Sequence, residues 1–542
     1  MKFVFPEEIL AIAAKLKRDG FKVYLVGGCV RDLLMEAAPP QGGEPRPARR
    51  EPKDWDITTD AKPEEIQKIF PESVYENSFG TVLVKLKPRT NADYTQNNAD
   101  TFPRESASSQ RKSALNVVEI TTFRLEGKYT DKRHPDEVKF AESVEEDLSR
   151  RDFTINAIAF DMNNFLRKSA SSPRQSAFLV DPFGGQKDMR DGIIRAVGNA
   201  EDRFNEDALR MMRAVRFATE LGFSAQGGPA SGWQLEFNTR RAIEKNADLL
   251  EAIAKERIRD EFEKIIMSDR AAAGIILLEE LNLLIRVLPE LRDGIGVGQN
   301  KHHVYTVFEH NVKSLDYSAR QNYSLEVRLA SLLHDLGKPK AKRGEGLNST
   351  FYGHEIVGAK MAVKALERLR FSKDVIESVA HLIRYHMFYY NVGEVSEAGV
   401  RRFISRVGPE TIPDLLKLRE ADRIGSGVPK AVPYKTRHLL FMIEKVKHDP
   451  VSPKMLKLKG DEVMKILGIK PGPRVGQILS ILLEEVLDDP AINKEGELES
   501  RARELGKLTD AELRAFSEKA KDKKEEFQAG IEEGIKEKFH VK

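Results

Sequence analysis

Residues able to form β-strands are concentrated in the first third of this 542-residue chain, and that asymmetry limits the fold more than any other feature. The runs "FKVYLVGG", "TVLVKL", "VVEITTF" and "NAIAFD" are short, apolar and interleaved with helical stretches. After Asp188 nearly every apolar residue recurs at helical spacing. The pattern predicts an α+β chain. A mixed α/β head occupies residues 1–163, and all-α segments follow at 178–292, 293–428 and 429–542. Four segments lack periodicity and are rich in Pro, Ser, Gly and Arg: "EAAPPQGGEPRPARREP", "PRTNADYTQNNADTFPRESASSQRKSALN", "RKSASSPRQSA" and "SAQGGPASGW". They read as mobile surface insertions. The stretch beginning "KEGELESRARELGKL" mixes both charge signs with few apolar residues and reads as a solvated helical extension.

Composition excludes several classes of protein. A single cysteine, Cys29, rules out an internal disulfide framework, and the first residues have no charged n-region followed by an apolar h-region. No apolar run approaches the length of a membrane span. The expectation is a cytoplasmic protein with no membrane partner. Lys+Arg 88 against Asp+Glu 85 leaves a net charge of only +3, which neither requires nor forbids nucleic acid. Oligomeric state cannot be read from these features.

Within the head, "KDWDITTD" places Asp54 and Asp56 two residues apart. On a strand they project to one side while Trp55 and Ile57 project to the other. Two carboxylates in one small volume raise each other's pKa unless a cation neutralises them, and hard divalent ions take such oxygen ligands. An isolated D-x-D is also a common turn element, so the neighbouring motifs decide. "FKVYLVGGCVRDLLM" is a strand, then Gly27 and Gly28, then a helix carrying Arg31. Glycines let backbone N–H groups approach phosphates, and a helix N-terminus adds partial positive charge. "VVEITTFR" puts Glu119 on a later strand, and "EDLSRRDFTINAIAFD" concentrates Arg151, Asp152 and Asn156, groups suited to phosphate and ribose.

These motifs in this order, with "DPFGGQKDMRDGIIRAVG" and "RFNEDALRMMRAVRFA", resemble the class II tRNA nucleotidyltransferase and bacterial poly(A) polymerase family. That family belongs to the polymerase-β-like superfamily. The resemblance implies a nucleotidyltransferase head in which Asp54 and Asp56 hold Mg2+. Gly27, Gly28 and Arg31 would face a triphosphate, and Arg151 and Asp152 the ribose side, with Glu119 as a third catalytic carboxylate.

In "RFNEDALRMMRAVRF", Asp207, Arg210 and Arg213 recur at i, i+3 and i+6, which places them on one face of a single helix. Cytosine and adenine each present an exocyclic amino donor beside a ring-nitrogen acceptor, so a carboxylate and a guanidinium side by side pair with either. The resemblance assigns Glu206, Asp207 and Arg210 that role, selecting CTP and ATP without a nucleic-acid template. "EGKYTDKRHPDEVKF" resembles the flexible loop that CC-only enzymes lack, with Asp131, Arg133 and Pro135 matching and His134 in place of the more usual Arg. Complete C-C-A addition to tRNA is therefore expected. Poly(A) synthesis and partial addition are the alternatives within the family. Outside it, the alternative is a metal phosphohydrolase or RNA-binding protein with an inactive head.

Most of the 11 histidines lie in one helical region. "LASLLHDLGKPKAK" carries His334 and Asp335, and His310, His354, His381, His386 and Asp422 supply further metal-type ligands at intervals a helical bundle can bring together. The region resembles the HD phosphohydrolase domain. That resemblance makes His310, His334, Asp335 and Asp422 the primary ligands of a divalent ion (Mg2+, Mn2+ or Ni2+), with His354, His381 and His386 as candidates for a second. It implies phosphatase or 2′,3′-cyclic phosphodiesterase action on RNA ends. In the tail, Lys470 and Arg474 flank Pro471-Gly472-Pro473 and offer positive charge to an RNA phosphate.

Overall fold

The computed structural model describes residues 3, 5–37, 52, 54–75, 80–85, 117–126, 138–167, 178–221, 233–300, 304–427, 432–446 and 453–516. Nearly all of the four aperiodic segments, the loop residues Asp131 to Pro135 and the last part of the C-terminal stretch fall outside them. The chain divides into two compact units, Met1–Pro289 and Glu290–Lys542.

The first unit is built on a seven-stranded sheet. Its strands are β1 (Val23–Val26), β2 (Asp56–Thr59), β3 (Val74–Tyr75), β4 (Thr81–Lys85), β5 (Val117–Thr122), β8 (Ala159–Asp161) and β9 (Leu179–Val180), in the order β3-β4-β5-β2-β1-β8-β9. Two further strands, β6 (Arg124–Glu126) and β7 (Val138–Phe140), form a separate antiparallel ribbon at the ends of the undescribed loop. The four strand-like runs of the sequence correspond to β1, β4, β5 and β8. Only β2 and β5 run parallel; the other pairs of the large sheet are antiparallel. In β5 the alternation is strict: Val118, Ile120 and Thr122 are buried, while Val117 and Glu119 are exposed. The core beneath the sheet takes in Trp55 and Ile57 with Ile9, Ile12, Ala13 and Leu16 of the helix Glu7–Arg18, which follow an i, i+3, i+4, i+7 stripe.

From Ala200 onward the unit is helical, with Ala200–Glu206, Leu209–Glu220, Phe237–Asn246, Lys255–Met267 and Ala271–Glu280 as its main elements. Strand pairing departs from the all-α expectation for 178–292 at two places: β9 completes the edge of the large sheet, and Ile193–Ile194 and Gln234–Leu235 form a two-stranded parallel bridge.

In the second unit the helices Val307–Arg320, Leu325–Leu333, His354–Arg368, Lys373–Tyr385 and Ile412–Gly425 form one bundle. The tail helices Gly460–Leu467, Pro473–Asp488 and Glu495–Gly506 enclose a core of their own. That core corrects one expectation. The charged stretch after Lys494 is not simply solvated, because Leu498, Ala502, Leu505 and Leu513 are fully buried. A three-residue apolar stripe at helical spacing was hidden among its many charges. Among the described residues no helix is long and apolar enough to cross a membrane.

Candidate active site and metal cluster

Strand β2 begins at Asp56, and Asp54 lies two residues upstream, exposed, while Trp55 and Ile57 are buried on the other side. Asp56 is in register with Val26 on β1 and with Glu119 on β5, so Asp56 and Glu119 share one face of the sheet. Directly after β1 the chain turns at Gly27, whose φ of +76° is in the left-handed region. A Cβ there would lie 3.0 Å from Arg151 Nη1 and 3.3 Å from Asp56 Oδ2. Glycine therefore lets the turn, a carboxylate and a guanidinium converge. Burial raises the Asp56 carboxyl above its ordinary value; Arg151 counteracts this and Asp54 adds to it. Hard oxygen donors that disfavour their own ionisation in this way fit a divalent cation.

Arg31, on the helix Gly28–Ala37, pairs with Asp32 at 2.7 Å and donates to Asn156 Oδ1 at 3.0 Å. Asn156 in turn donates to Asp152 Oδ1 at 3.2 Å, and Asp152 Oδ2 receives Arg213 Nε at 2.8 Å. Burial works against the Asp152 carboxylate, but Arg213 outweighs it and holds the pKa at about 2. Asp152, expected beside a ribose, is thus a buried hub that joins Arg31 to Arg213. Arg151 leans back toward Asp147, 3.4 Å away, which Arg150 also grips at 2.8 Å. Asp147 is fully buried and was not anticipated. Its spacing of three and four residues from the two arginines is the signal that could have found it.

The base-selecting segment departs from the single-helix expectation. The helix Ala200–Glu206 ends at Asp207, which is extended (φ −139°, ψ 105°), and a new helix starts at Leu209. Asp207 Oδ1 accepts from the backbone N–H of Leu209 at 3.0 Å, the local side-chain bond by which Asp competes with helix continuation. The i, i+3, i+6 spacing therefore does not place Asp207, Arg210 and Arg213 on one face. Arg210 is buried, pairs with Glu206 at 2.6 Å and donates to the carbonyls of Arg203 and Arg150. Arg213 turns to Asp152. Asp207 is gripped by Arg257 of the helix Lys255–Met267, at 2.8 Å and 3.4 Å. Arg257 has no local sequence signal, since fifty residues separate it from Asp207.

In the second unit six expected ligands converge. His310 lies on Val307–Arg320, His334 and His386 close their helices, His354 opens one, and Asp422 lies on Ile412–Gly425. Three imidazoles have Nδ1 against a carbonyl three residues upstream: His334 on Ser331 (3.0 Å), His354 on Phe351 (2.7 Å) and His386 on Ile383 (2.7 Å). A carbonyl only accepts, so each Nδ1 donates and Nε2 is left for the cluster. His310 Nε2 lies 2.9 Å from His334 Nε2, 3.1 Å from Asp335 and 3.4 Å from Asp422. His354 Nε2 lies 3.3 Å from the other Asp335 oxygen, and His386 Nε2 3.8 Å. Two ligand sets result, His310–His334–Asp335 and Asp335–His354–His386, with Asp335 shared. At Gly337 a Cβ would lie 2.1 Å from the His354 carbonyl oxygen, so glycine is what lets these segments meet.

Burial disfavours a charged His334, yet Asp335 and Asp422 outweigh it and push its pKa up to about 9. Burial holds His386 well below the ordinary imidazole range, reinforced by His334 and His354. Buried imidazoles facing buried carboxylates fit a divalent cation. His381 does not belong to the cluster. Five residues before His386, it points about 140° away around the helix, donates to the Val407 carbonyl at 2.6 Å and packs on Tyr385. Lys338, buried, reaches Asp335 at 2.6 Å and Gln299 at 2.7 Å; neither Lys338 nor Gln299 was anticipated.

In the tail Lys470 is exposed. Arg474 is turned inward: it donates to the carbonyls of Gly506 (3.0 Å) and Leu508 (2.7 Å) and pairs with Asp510. It satisfies carbonyls at the end of a helix, which removes it as a ready phosphate ligand.

Residues 23–195 match the poly A polymerase head domain, 232–295 the probable RNA and SrmB-binding site of polymerase A, and 307–425 the HD domain. An A-adding tRNA nucleotidyltransferase of Deinococcus radiodurans is 37% identical over 395 residues, covering 70% of this chain and 80% of that protein. A CCA-adding enzyme of Geobacillus stearothermophilus is 40% identical over 278 residues, 51% of this chain and 53% of that enzyme. The chain thus matches about half the length of the CCA-adding relatives. Among solved structures, the Bacillus stearothermophilus CCA-adding enzyme in complex with CTP is similar over 92% of this chain and 98% of its own, at 27% identity and a TM-score of 0.60. The Thermotoga maritima CCA-adding enzyme complexed with tRNA shares the fold, at 19% identity and a TM-score of 0.51. This chain belongs to the tRNA nucleotidyltransferase and poly(A) polymerase family, and it is a nucleotidyltransferase whose second half carries an HD domain.

Proposed function

We propose that the chain adds C, C and A to the 3′ end of tRNA from CTP and ATP, in the cytoplasm and without a nucleic-acid template. The observation that carries this reading is the turn at Gly27, which sets Arg151 against Asp56 beside the registered Glu119, in the same unit as Asp207 and Arg210. Mg2+ held by Asp54 and Asp56 would neutralise the triphosphate and activate the RNA 3′-hydroxyl for in-line attack on the α-phosphate. The chain's own groups do the positioning. Backbone N–H groups at Gly27 and Gly28, with Arg31, orient the triphosphate. Asn156 and Asp152 hold Arg31 and Arg213 in place, and Asp207 and Arg210 read the amino and ring-nitrogen edge of the base. Arg210 must exchange its bond to Glu206 for the base.

A second reading, addition of A alone, is favoured by the Deinococcus relative named as A-adding, of which the chain covers 80%. Incubating tRNA transcripts ending before the first C, and others ending after the second, with each NTP singly and together separates the two. Extension of both transcripts supports CCA addition; extension of the CC-ended one alone supports A addition. Loss of extension in Asp54→Ala or Asp56→Ala with RNA binding retained ties the activity to the carboxylate pair, and unchanged rates would remove that assignment. For the HD domain we propose a divalent ion, Mg2+, Mn2+ or Ni2+, on the cluster around Asp335, and phosphatase or 2′,3′-cyclic phosphodiesterase action on RNA ends.

A further inference from the structure

Phe217 is buried on the helix Leu209–Glu220, yet it is surrounded by charge. Three guanidiniums stand over its ring: the Cζ atoms of Arg216, Arg31 and Arg213 lie 4.4, 5.3 and 5.5 Å from its centroid. Arg213 is brought there by helical spacing, four residues before Phe217, and Arg216 by being its chain neighbour. Arg31 arrives from another element, the helix Gly28–Ala37 that follows β1. Phe153, itself fully buried, packs edge-on against the same ring at 5.7 Å.

Each guanidinium also has a carboxylate partner: Asp32 for Arg31 at 2.7 Å, Asp152 for Arg213 at 2.6 Å and Glu261 for Arg216 at 2.9 Å. Any apolar side chain could fill the space at position 217, but only an aromatic ring offers a face of partial negative charge to cations that otherwise repel one another. A guanidinium held through its flat face keeps its N–H donors, which lie in its plane, for other partners. Arg31 has such partners, donating to Asp32 and Asn156. The ring also closes a circuit. Arg31, Asn156, Asp152 and Arg213 are joined by hydrogen bonds, and Phe217 joins Arg213 back to Arg31. The helix that carries Arg210 therefore holds Arg31 twice, through the Asp152 hub and through the ring.

We propose that Phe217 is a positioning residue for nucleotide transfer: its ring face holds Arg31 in the orientation in which it meets the triphosphate, and ties that orientation to the base-reading helix. The proposal rests on the reading of Arg31 as a triphosphate ligand and adds the support that aims it. Without the ring Arg31 keeps its charge, so attraction to a bound triphosphate survives. Its placement loosens, and transfer depends on placement. The rate of transfer falls further than the affinity for nucleotide.

The test measures single-turnover extension of a tRNA transcript by the full-length protein at saturating nucleotide, beside the Kd for ATP with Mg2+ from calorimetric titration. Replacing Phe217 by phenylalanines that carry one, two and three ring fluorines keeps its shape and drains negative charge from its face. The rate should fall stepwise, by about tenfold at three fluorines, while the Kd moves less than about threefold. Phe217→Met should lose about tenfold or more. Combined with Arg31→Ala it should cost no more than Arg31→Ala alone, because both act through one guanidinium. A rate that stays flat across the fluorinated series, or losses that multiply in the double variant, overturns the proposal. So does a Kd that rises as far as the rate falls, since the ring would then support binding alone. If Phe217→Met melts early, the fluorinated series, which keeps the packing, decides. An oligoadenylate acceptor keeps the two readings apart. A parent that extends oligoadenylate but no tRNA sinks the substrate reading, and the fluorinated series is then read on that acceptor. One that extends tRNA with a flat series sinks only the role of Phe217, and one that extends neither sinks both.

Discussion

Replacing Gly27 by alanine tests whether the turn after β1 is what assembles the carboxylate site. At a φ of +76° the new residue occupies the left-handed region, which costs about 1–2 kcal/mol. Its Cβ would stand 3.0 Å from Arg151 Nη1 and 3.3 Å from Asp56 Oδ2. The first neighbour is the end of a flexible side chain and gives way. The second belongs to a residue fixed by register to both Val26 and Glu119, so the carboxylate itself must shift by a few tenths of an ångström. A loss of about 1–2 kcal/mol lowers the melting temperature by roughly 2–8 °C in a unit of this size. Nucleotide addition should fall much further, by about 100-fold, because transfer depends on sub-ångström placement of the reacting groups. Gly28 is the control: it has no positive φ, and a Cβ there meets only Arg31 Nη2 at 3.6 Å, an ordinary contact. Gly28→Ala should therefore stay near parental stability, and it serves as the control for the melting temperature. Single-turnover extension of tRNA across a Mg2+ titration, with calorimetry on both variants, measures these effects. Parental rate and metal dependence in Gly27→Ala, or an equal loss of stability in Gly28→Ala, would refute the reasoning.

The remaining predictions concern the hub, the base reader and the HD cluster. Asp152 titrates at about 2 rather than 3.8, so its ionised form stabilises the fold by about 2 kcal/mol above pH 4, and that contribution is lost as pH falls toward 2. Asp152→Asn should therefore cost much more stability at pH 7 than near pH 2 in denaturant titrations; equal losses at both would remove the hub. Asp207→Ala and Arg210→Ala should raise UTP and GTP incorporation relative to CTP and ATP by about 1–3 kcal/mol of discrimination. Arg257→Ala should act in the same direction and more weakly, because it frees Asp207 without removing it; unchanged ratios for all four nucleotides would return these residues to structural ion pairs. His334→Ala/Asp335→Ala should abolish the rise in melting temperature on adding Mn2+ or Ni2+ and leave nucleotide addition intact, whereas His381→Ala should keep that rise. A metal response surviving in the first variant would displace the cluster as the site.

What sequence revealed and what it hid follow a physical division. Short apolar runs bounded by polar or glycine residues made β1, β4, β5 and β8 legible, and pairs close in sequence marked both sites: Asp54 acts on the Asp56 carboxyl from just outside β2, and His334 and Asp335 enter one cluster. Long-range partners were invisible. Arg257 reaches Asp207, and Lys338 meets Gln299, through tertiary packing that leaves no local pattern. The helix break at Asp207 went unseen because Asp fits a helical stripe as readily as a side-chain cap, and only the fold decides between them. Arg474 read as a phosphate ligand because exposure cannot be inferred from charge, and its guanidinium was needed by helix-end carbonyls.

The hairpin of β4 and β5 has a practical consequence. Lys85 and Val117 are paired across it, so whatever occupies residues 86–116 enters and leaves the sheet about 5 Å apart. Closing a loop across fixed ends grows costlier only slowly with length, about 0.6 kcal/mol for each doubling. Evolution can therefore lengthen or trim this stretch with little penalty, and an engineer can seat a fluorophore carrier or an affinity tag there. Neither change would disturb the register that aligns Asp56 with Glu119.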